Sequence, residues 1–293
     1  MLFILACDHR TSLLRELYGV AGDASPEQAI AISAAKELVF EGLTRALTEG
    51  VDRTAAALLI DEEFGAPVAR RAKGAGIALA MAVEKSGQKV FDFEYGSDFS
   101  AHIEAFDPTY CKALLRYNPE GDPALNEVQT QRLLALSKWL EDEIPQLMVE
   151  LLVPPEQPQL EAVDGDQRRF DRELRPALMR GAIAELQDAG VRADVWKIEG
   201  LDAREDCEGV ASLVRSNGRD HVTCVVLGRG AGDDTVESWL RQAAGVPGYA
   251  GFAVGRTIWW EAVRNYLNGG DRQECIADVS RRYRHFIDVY CAG

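Results

Sequence analysis

The stretch Leu147-Met148-Val149-Glu150-Leu151-Leu152-Val153 is apolar at every position but one. A strand that is apolar on both faces belongs in a parallel sheet covered by helices, because a half-solvated sheet would alternate apolar with polar. Seven more runs share this character, at residues 2–7, 55–60, 77–83, 111–117, 194–198, 221–227 and 249–254. Amphipathic stretches separate them. Ser25-Pro26-Glu27-Gln28 reads as a capping box with proline at the first helical position, opening a helix to about residue 47. Residues 126–143 and 172–188 carry apolar side chains at helical spacing, with Gly190 as the stop of the second. Shorter helices are expected at 202–214 and 233–244, each opening on an aspartate able to cap, and two more at 258–267 and 272–290. Eight strand–helix units predict an α/β chain folded as one (β/α)8 TIM barrel spanning residues 1–293. The proline-rich Pro154-Pro155-Glu156-Gln157-Pro158 follows a strand and reads as a long loop, not a linker.

Charge narrows the partners. Lys and Arg total 32 against 47 Asp and Glu, a net charge of −15, which opposes binding to nucleic acid or an anionic membrane surface. The same balance repels small anions unless positive charge is gathered in one place. Six scattered cysteines without a C-x-x-C pair suit a reducing compartment, and Cys7, Cys111 and Cys224 lie in apolar runs as buried thiols. The N-terminal Met1-Leu2-Phe3-Ile4-Leu5-Ala6-Cys7 is too short for a signal h-region or a membrane span. A cytoplasmic location is expected. The helix at 272–290 is equally suited to closing the barrel bottom or to a homo-oligomer contact.

In such barrels the chemistry sits at the C-terminal ends of the strands. Here those ends read Asp8-His9-Arg10, Asp61-Glu62-Glu63, Glu84-Lys85-Ser86-Gly87, Gly228-Arg229-Gly230 and Gly255-Arg256. Lys112, Glu150 and Lys197 lie inside three consecutive apolar runs, where a charge is costly unless it is paired or used. Lys197, in Val195-Trp196-Lys197-Ile198-Glu199, stands out. Desolvation and a neighbouring cation favour a neutral amine, and a neutral amine attacks a ketone carbonyl to form a Schiff base. On this reading Lys112 supplies the neighbouring charge and Glu150 carries protons. The plainer alternative is a buried ion pair with no chemistry.

Gly228-Arg229-Gly230 and Gly255-Arg256-Thr257 close the last two runs, where barrels commonly bind phosphate. Their glycines admit an anion to backbone N–H groups, and Arg229 and Arg256 add charge-assisted bonds. Residues 228–232 lack dinucleotide spacing, and His9, His102, His221 and His285 show no metal-ligand spacing, so no cofactor and no metal are expected. Asp61-Glu62-Glu63 fits a magnesium site no better than a strand end or solvated loop. Trp259-Trp260 reads as helix packing.

Several strand ends together carry a family resemblance. Leu5-Ala6-Cys7-Asp8-His9-Arg10, Leu59-Ile60-Asp61-Glu62-Glu63-Phe64-Gly65, Val83-Glu84-Lys85-Ser86-Gly87 and the two lysine runs resemble class I sugar-phosphate aldolases of the tagatose-bisphosphate type. Phe91-Asp92-Phe93-Glu94-Tyr95-Gly96 and Gly251-Phe252-Ala253-Val254-Gly255-Arg256-Thr257-Ile258-Trp259 are similar to a bacterial branch that includes the aldolase domain for 2-deoxy-5-keto-gluconate 6-phosphate of inositol catabolism. The resemblance covers nearly the whole chain. It implies a cofactor-free lyase with Lys197 as the Schiff-base residue and Asp8, Lys112 and Glu150 around it. It further implies a sugar phosphate held by Gly230, Gly255, Arg256 and Arg229, with Glu199 alongside and Lys85, Arg10 or Arg116 toward the distal carboxylate. Leu227-Gly228-Arg229-Gly230-Ala231 departs from the tagatose-type pattern, which leaves Arg229 less securely assigned than Arg256. Other ketose bisphosphates or sulfo-sugar phosphates are alternative substrates. A non-catalytic sugar-phosphate sensor on the same fold is the alternative of another class, and it would bind ligand without turnover.

Overall fold

The computed structural model describes residues 1–20, 22–141, 143 and 145–293. In chain order the elements are β1 (Leu2–Ala6), α1 (Thr11–Tyr18), α2 (Pro26–Thr48), β2 (Ala56–Ile60), α3 (Glu62–Gly74), β3 (Ala78–Ala82), α4 (Phe99–Phe106), β4 (Tyr110–Arg116) and α5 (Pro123–Leu140). They continue with β5 (Gln146–Leu152), α6 (Gln157–Ala162), α7 (Gln167–Arg169), α8 (Arg175–Asp188), β6 (Val195–Glu199), α9 (Arg204–Val214), β7 (Thr223–Leu227), α10 (Asp233–Ala243), β8 (Tyr249–Val254), α11 (Arg256–Leu267) and α12 (Arg272–Ala292). Each strand pairs in parallel with the next, and β8 pairs with β1 through Leu2↔Gly251 to Leu5↔Val254, so the sheet closes into an eight-stranded barrel. This is the (β/α)8 architecture expected from the sequence.

Side chains in a strand alternate between faces, and the alternation splits the core in two. Leu2, Ile4, Ala6, Ala57, Leu59, Ala80, Met148, Val195, Val225 and Ala253 pack inside the barrel. The intervening positions, such as Phe3, Leu5, Leu58, Val149 and Trp196, pack outward against the helices. Two residues beyond the interior set, toward the strand ends, stand Asp8, Glu150 and Lys197. The apolar plug thus becomes a charged layer at its top.

The predicted strands are all present, with ends displaced by one or two residues. Glu199 belongs to β6 because it pairs with Leu227, and Tyr110 to β4 because it pairs with Ala80 and Gln146. The capping box at Ser25 is formed and α2 runs to Thr48. Of the expected 126–143 helix, the structure shows α5 starting earlier, at Pro123 under an Asp122 cap, and ending at Leu140; residue 142 lies outside the described residues. The expected 172–188 helix begins as one π-helical turn, Phe170–Leu174, before α8.

Two expected caps are not made. Asp202 accepts instead from the indole Nε1 of Trp239 at 2.7 Å, and Asp233 pairs with Arg282 at 2.6 Å. Asp61 is neither a metal site nor a solvated loop residue: it is fully buried, its Oδ1 caps α3 at the Phe64 N–H, and its Oδ2 pairs with Lys36 of α2. Trp259 packs as expected, buried with its indole donating to the Ala6 carbonyl. All six cysteines are free, and all but Cys291 are buried. Among the described residues no helix is long and apolar enough to cross a membrane.

Candidate active site

The charged layer is a chain of alternating signs. Lys112 rises from β4 with its Nζ 2.7 Å from Asp8 Oδ2, 2.9 Å from Glu84 Oε1 and 2.7 Å from Glu150 Oε2. Glu150 spans two lysines, because its Oε1 lies 2.7 Å from Lys197 Nζ. The register explains the contact: Glu150 and Lys197 are direct partners across β5 and β6. Lys112 is 1% exposed and Lys197 4%, so these pairs stand almost out of water, where each interaction is stronger than at a surface.

Electrostatics fix the protonation of the neighbours. Burial pushes the Asp8 carboxyl up, but Lys112 and Lys197 outweigh it and hold the group well below the usual carboxylate range. Glu150 is treated the same way by the same two lysines and is also lowered. Lys112 loses to burial and gains more from Asp8, Glu150 and Glu84, which keeps it firmly protonated. His9 goes the other way: burial, against the pull of Asp8, lowers its imidazole to about 3 and leaves it neutral at physiological pH.

A second set of contacts supports this layer from outside. Lys36 of α2 donates to the carbonyls of Cys7 and His9 while pairing with Asp61. It therefore grips the backbone on both sides of Asp8. Arg10 donates to Glu84 through its carbonyl at 2.7 Å and its carboxylate at 3.2 Å, and to Glu94 at 2.8 Å. That guanidinium is buried and holds the β3 end through its two terminal nitrogens.

The structure brings Asp8, Arg10, Lys85, Lys112, Arg116, Glu150 and Lys197 to one cavity of about 250 Å³ at the C-terminal mouth of the barrel. The remaining sequence candidates stand beside it. Arg256 opens α11 and pairs with Glu16 of α1. Its guanidinium lies against Gly230, where a Cβ would come within 2.8 Å of it, and Gly230 has the left-handed φ of 71°. Gly255 is pressed on β1: a Cβ there would meet the Ala6 carbonyl oxygen at 2.4 Å. Thr257 donates to the Ala231 carbonyl, tying the β7 and β8 loops together. Arg229 and Glu199 pair with each other at 2.9 Å, and Arg229 also holds Asp171 of the π turn. Glu199 accepts from the Val153 N–H and lies near Arg175, so it clasps the β5 loop.

Glu84, Lys36, His9 and Arg15 were not among the residues singled out from sequence. Glu84 could have been found by counting in twos along the third run from Ala80. Lys36 carries no local signal, because its partners lie 25 to 29 positions away. Among the described residues no group of three His, Cys, Asp or Glu side chains is placed to hold a metal ion.

Chemically, the layer offers an amine with a carboxylate on its Nζ, set above a dry apolar plug in a barrel mouth. The chain belongs to the bacterial family described as "Uncharacterized protein conserved in bacteria (DUF2090)", which it matches over residues 1–292. No curated protein matches it in sequence. Its barrel is similar to that of an archaeal fructose-1,6-bisphosphate aldolase whose catalytic lysine is covalently bound to the carbinolamine intermediate of the substrate. That likeness has 14% identity and a TM-score of 0.59, covering 98% of this chain and 93% of the other. Fructose-bisphosphate aldolase from Plasmodium falciparum is similar at 14% identity and a TM-score of 0.61, over 98% of this chain and 90% of its own. A protein from Corynebacterium glutamicum is similar at 18% identity and a TM-score of 0.53, over 97% and 85%. These likenesses are of fold.

Proposed function

We propose that this protein is a class I aldolase that cleaves a ketose phosphate through a Schiff base on Lys197. The observation that carries the proposal is the Lys197–Glu150–Lys112–Asp8 chain of contacts, all within 2.7 Å steps at the barrel mouth. Two lysines and two carboxylates in series are more than packing requires. Perturbed, buried titratable groups in a cleft mark functional sites. The likeness of fold to Schiff-base aldolases supports the same reading.

The steps follow from the contacts. Glu150 accepts a proton from Lys197, and the freed amine attacks the ketone carbon beside the phosphorylated carbon. The resulting carbinolamine loses water as Glu150 returns a proton to the departing hydroxyl, leaving a protonated imine. Removal of the proton from the hydroxyl two carbons from the imine carbon breaks the intervening carbon–carbon bond. That hydroxyl carbon becomes an aldehyde and the electron pair moves onto the imine as an enamine. Reprotonation and hydrolysis release the phosphorylated ketone and restore Lys197. Lys112 and Asp8 hold Glu150 and the incoming hydroxyls in place. Arg256, Gly255 and Gly230 receive the phosphate, with the first turn of α11 offering free N–H groups. The substrate we favour is 2-deoxy-5-keto-gluconate 6-phosphate, which gives dihydroxyacetone phosphate and malonate semialdehyde in cytoplasmic sugar-acid breakdown.

Borohydride reduction in the presence of dihydroxyacetone phosphate, followed by peptide mass mapping, tests the mechanism. An adduct on the peptide carrying Lys197 is expected. Its absence overturns the reading. Cleavage assays across carboxylate-, phosphate- and sulfonate-ended ketose phosphates then rank the substrates.

A further inference from the structure

Two arginines face the same two carboxylates at the end of β6. Glu199 lies two residues beyond Lys197, on the same face of that strand. Its Oε1 is 2.9 Å from Arg229 Nη1 and 3.4 Å from Arg175 Nη1. Asp171 Oδ1 is 3.1 Å from Arg229 Nη1 and 3.4 Å from Arg175 Nε. Each oxygen thus stands between two guanidinium groups, and Arg229 holds both.

On the Arg175 side the bonding is incomplete. Arg175 opens α8 and is 1% exposed, yet its Nε and Nη1 make no hydrogen bond. Its Nη2 donates to the Gly200 carbonyl at 3.2 Å. Buried donors without acceptors are costly, and here the missing acceptors already stand alongside. The Arg229 side carries strain of its own. Arg229 is a non-glycine residue at a left-handed φ of 49°, and its side chain is 34% exposed. Asp171 belongs to the π-helical turn Phe170–Leu174, an irregularity that is common at functional sites. The four groups carry two charges of each sign. If Arg229 leaves, the carboxylates keep a cation that is already in place.

We propose that Arg175 is a positioning residue for the phosphate end of the substrate, taking over Glu199 and Asp171 as Arg229 turns to the phosphate. The proposal rests on the aldolase reading for the place of that phosphate beside Gly230 and Arg256. Only hydrogen bonds are exchanged. In the arrangement described, the carboxylates withhold Arg229, so affinity for an anion is reduced by the cost of release. Loosening the hold raises that affinity. A purely structural clasp behaves the opposite way, because loosening it unsettles the β7 loop and weakens binding.

The sign of that effect is the test. Calorimetric titration with inorganic phosphate compares the parent with Asp171→Asn, Arg229→Met, the two combined, and Arg175→Lys. Asp171→Asn is expected to bind phosphate roughly three- to tenfold more tightly. Arg229→Met is expected to bind it roughly tenfold more weakly, and the combined variant to show no gain over Arg229→Met. Arg175→Lys keeps the charge but replaces a fork by a point, which cannot take both carboxylates, so weaker binding is expected from a buried change. With ketose phosphates these changes fall on KM, and kcat stays within about twofold. Asp171→Asn binding no more tightly than the parent overturns the handover, as does a gain that survives Arg229→Met. A parent that takes up no phosphate overturns it as well. Failure of the parent to form a borohydride adduct sinks the aldolase reading instead, and the phosphate titration still decides the handover.

Discussion

Glu150 and Lys197 face each other across neighbouring strands as direct register partners, with Glu150 Oε1 2.7 Å from Lys197 Nζ. Among the described residues this is the one carboxylate paired with Lys197. The other oxygen of the same carboxylate lies at 2.7 Å from Lys112. A single side chain thus connects the proposed nucleophile to the rest of the charged layer.

Glu150→Gln keeps the shape and removes the proton carrier. Turnover of a ketose phosphate is expected to fall by about 10² to 10⁴, the range for loss of a general acid–base group, with the larger effect on kcat. Steady-state kinetics and single-turnover trapping check this. A fall confined to KM would assign Glu150 to binding alone.

Acid stability should report His9. Its imidazole is lowered to about 3 in the folded chain against an ordinary 6.5, so between those values the unfolded state binds the extra proton. Stability from this group is full above pH 6.5 and falls as the pH drops toward 3, at up to roughly 1.4 kcal/mol per pH unit. Urea denaturation of His9→Gln between pH 7 and 5 is expected to show a flatter profile than the parent.

The Lys36–Asp61 pair is fully buried, and removing one partner strands the other charge. Lys36→Met and Asp61→Asn are each expected to destabilise by about 3–5 kcal/mol. The double variant should lose much less than the sum, and the double-mutant cycle by urea denaturation measures that coupling.

Gly255→Ala forces a Cβ onto the Ala6 carbonyl oxygen, a backbone atom with little freedom to move. Destabilisation of about 1–3 kcal/mol is expected, with a rise in KM for phosphorylated substrate. Gly232→Ala in the neighbouring loop meets nothing within 4 Å and serves as the comparison, expected within about 0.5 kcal/mol of the parent.

The barrel was legible because its signal is repeated eight times: each apolar run is short, and most are followed by a charged or glycine-rich end. Lys112, Glu150 and Lys197 were legible because charge inside an apolar run is conspicuous. Caps read less well. Asp202 and Asp233 had the right type but stand one residue before and one residue after the N-caps, Ala203 and Gly232, and they pair instead with Trp239 and Arg282 of other helices. For Asp61 the strand-end alternative is the one the structure shows, but nothing near it in sequence announces its partner, the ammonium of Lys36. Arg15, which lines the barrel mouth, was not legible either: it sits on a helix, α1, that the periodicity did not reveal.

Barrel closure has a consequence for synthesis. β1 needs β8 on one side, and roughly 240 residues separate them, an interval on the order of 10 to 50 s at ribosomal speed. Until then the nascent chain carries an unpaired strand edge, a template for wrong partners. Lys36, Cys7, His9 and Asp61 all emerge within the first quarter of translation. Their clamp can anchor β1 to α2 and β2 while the rest of the barrel is still being made, so the residue that steadies Asp8 in the finished protein is also placed to guard it during manufacture.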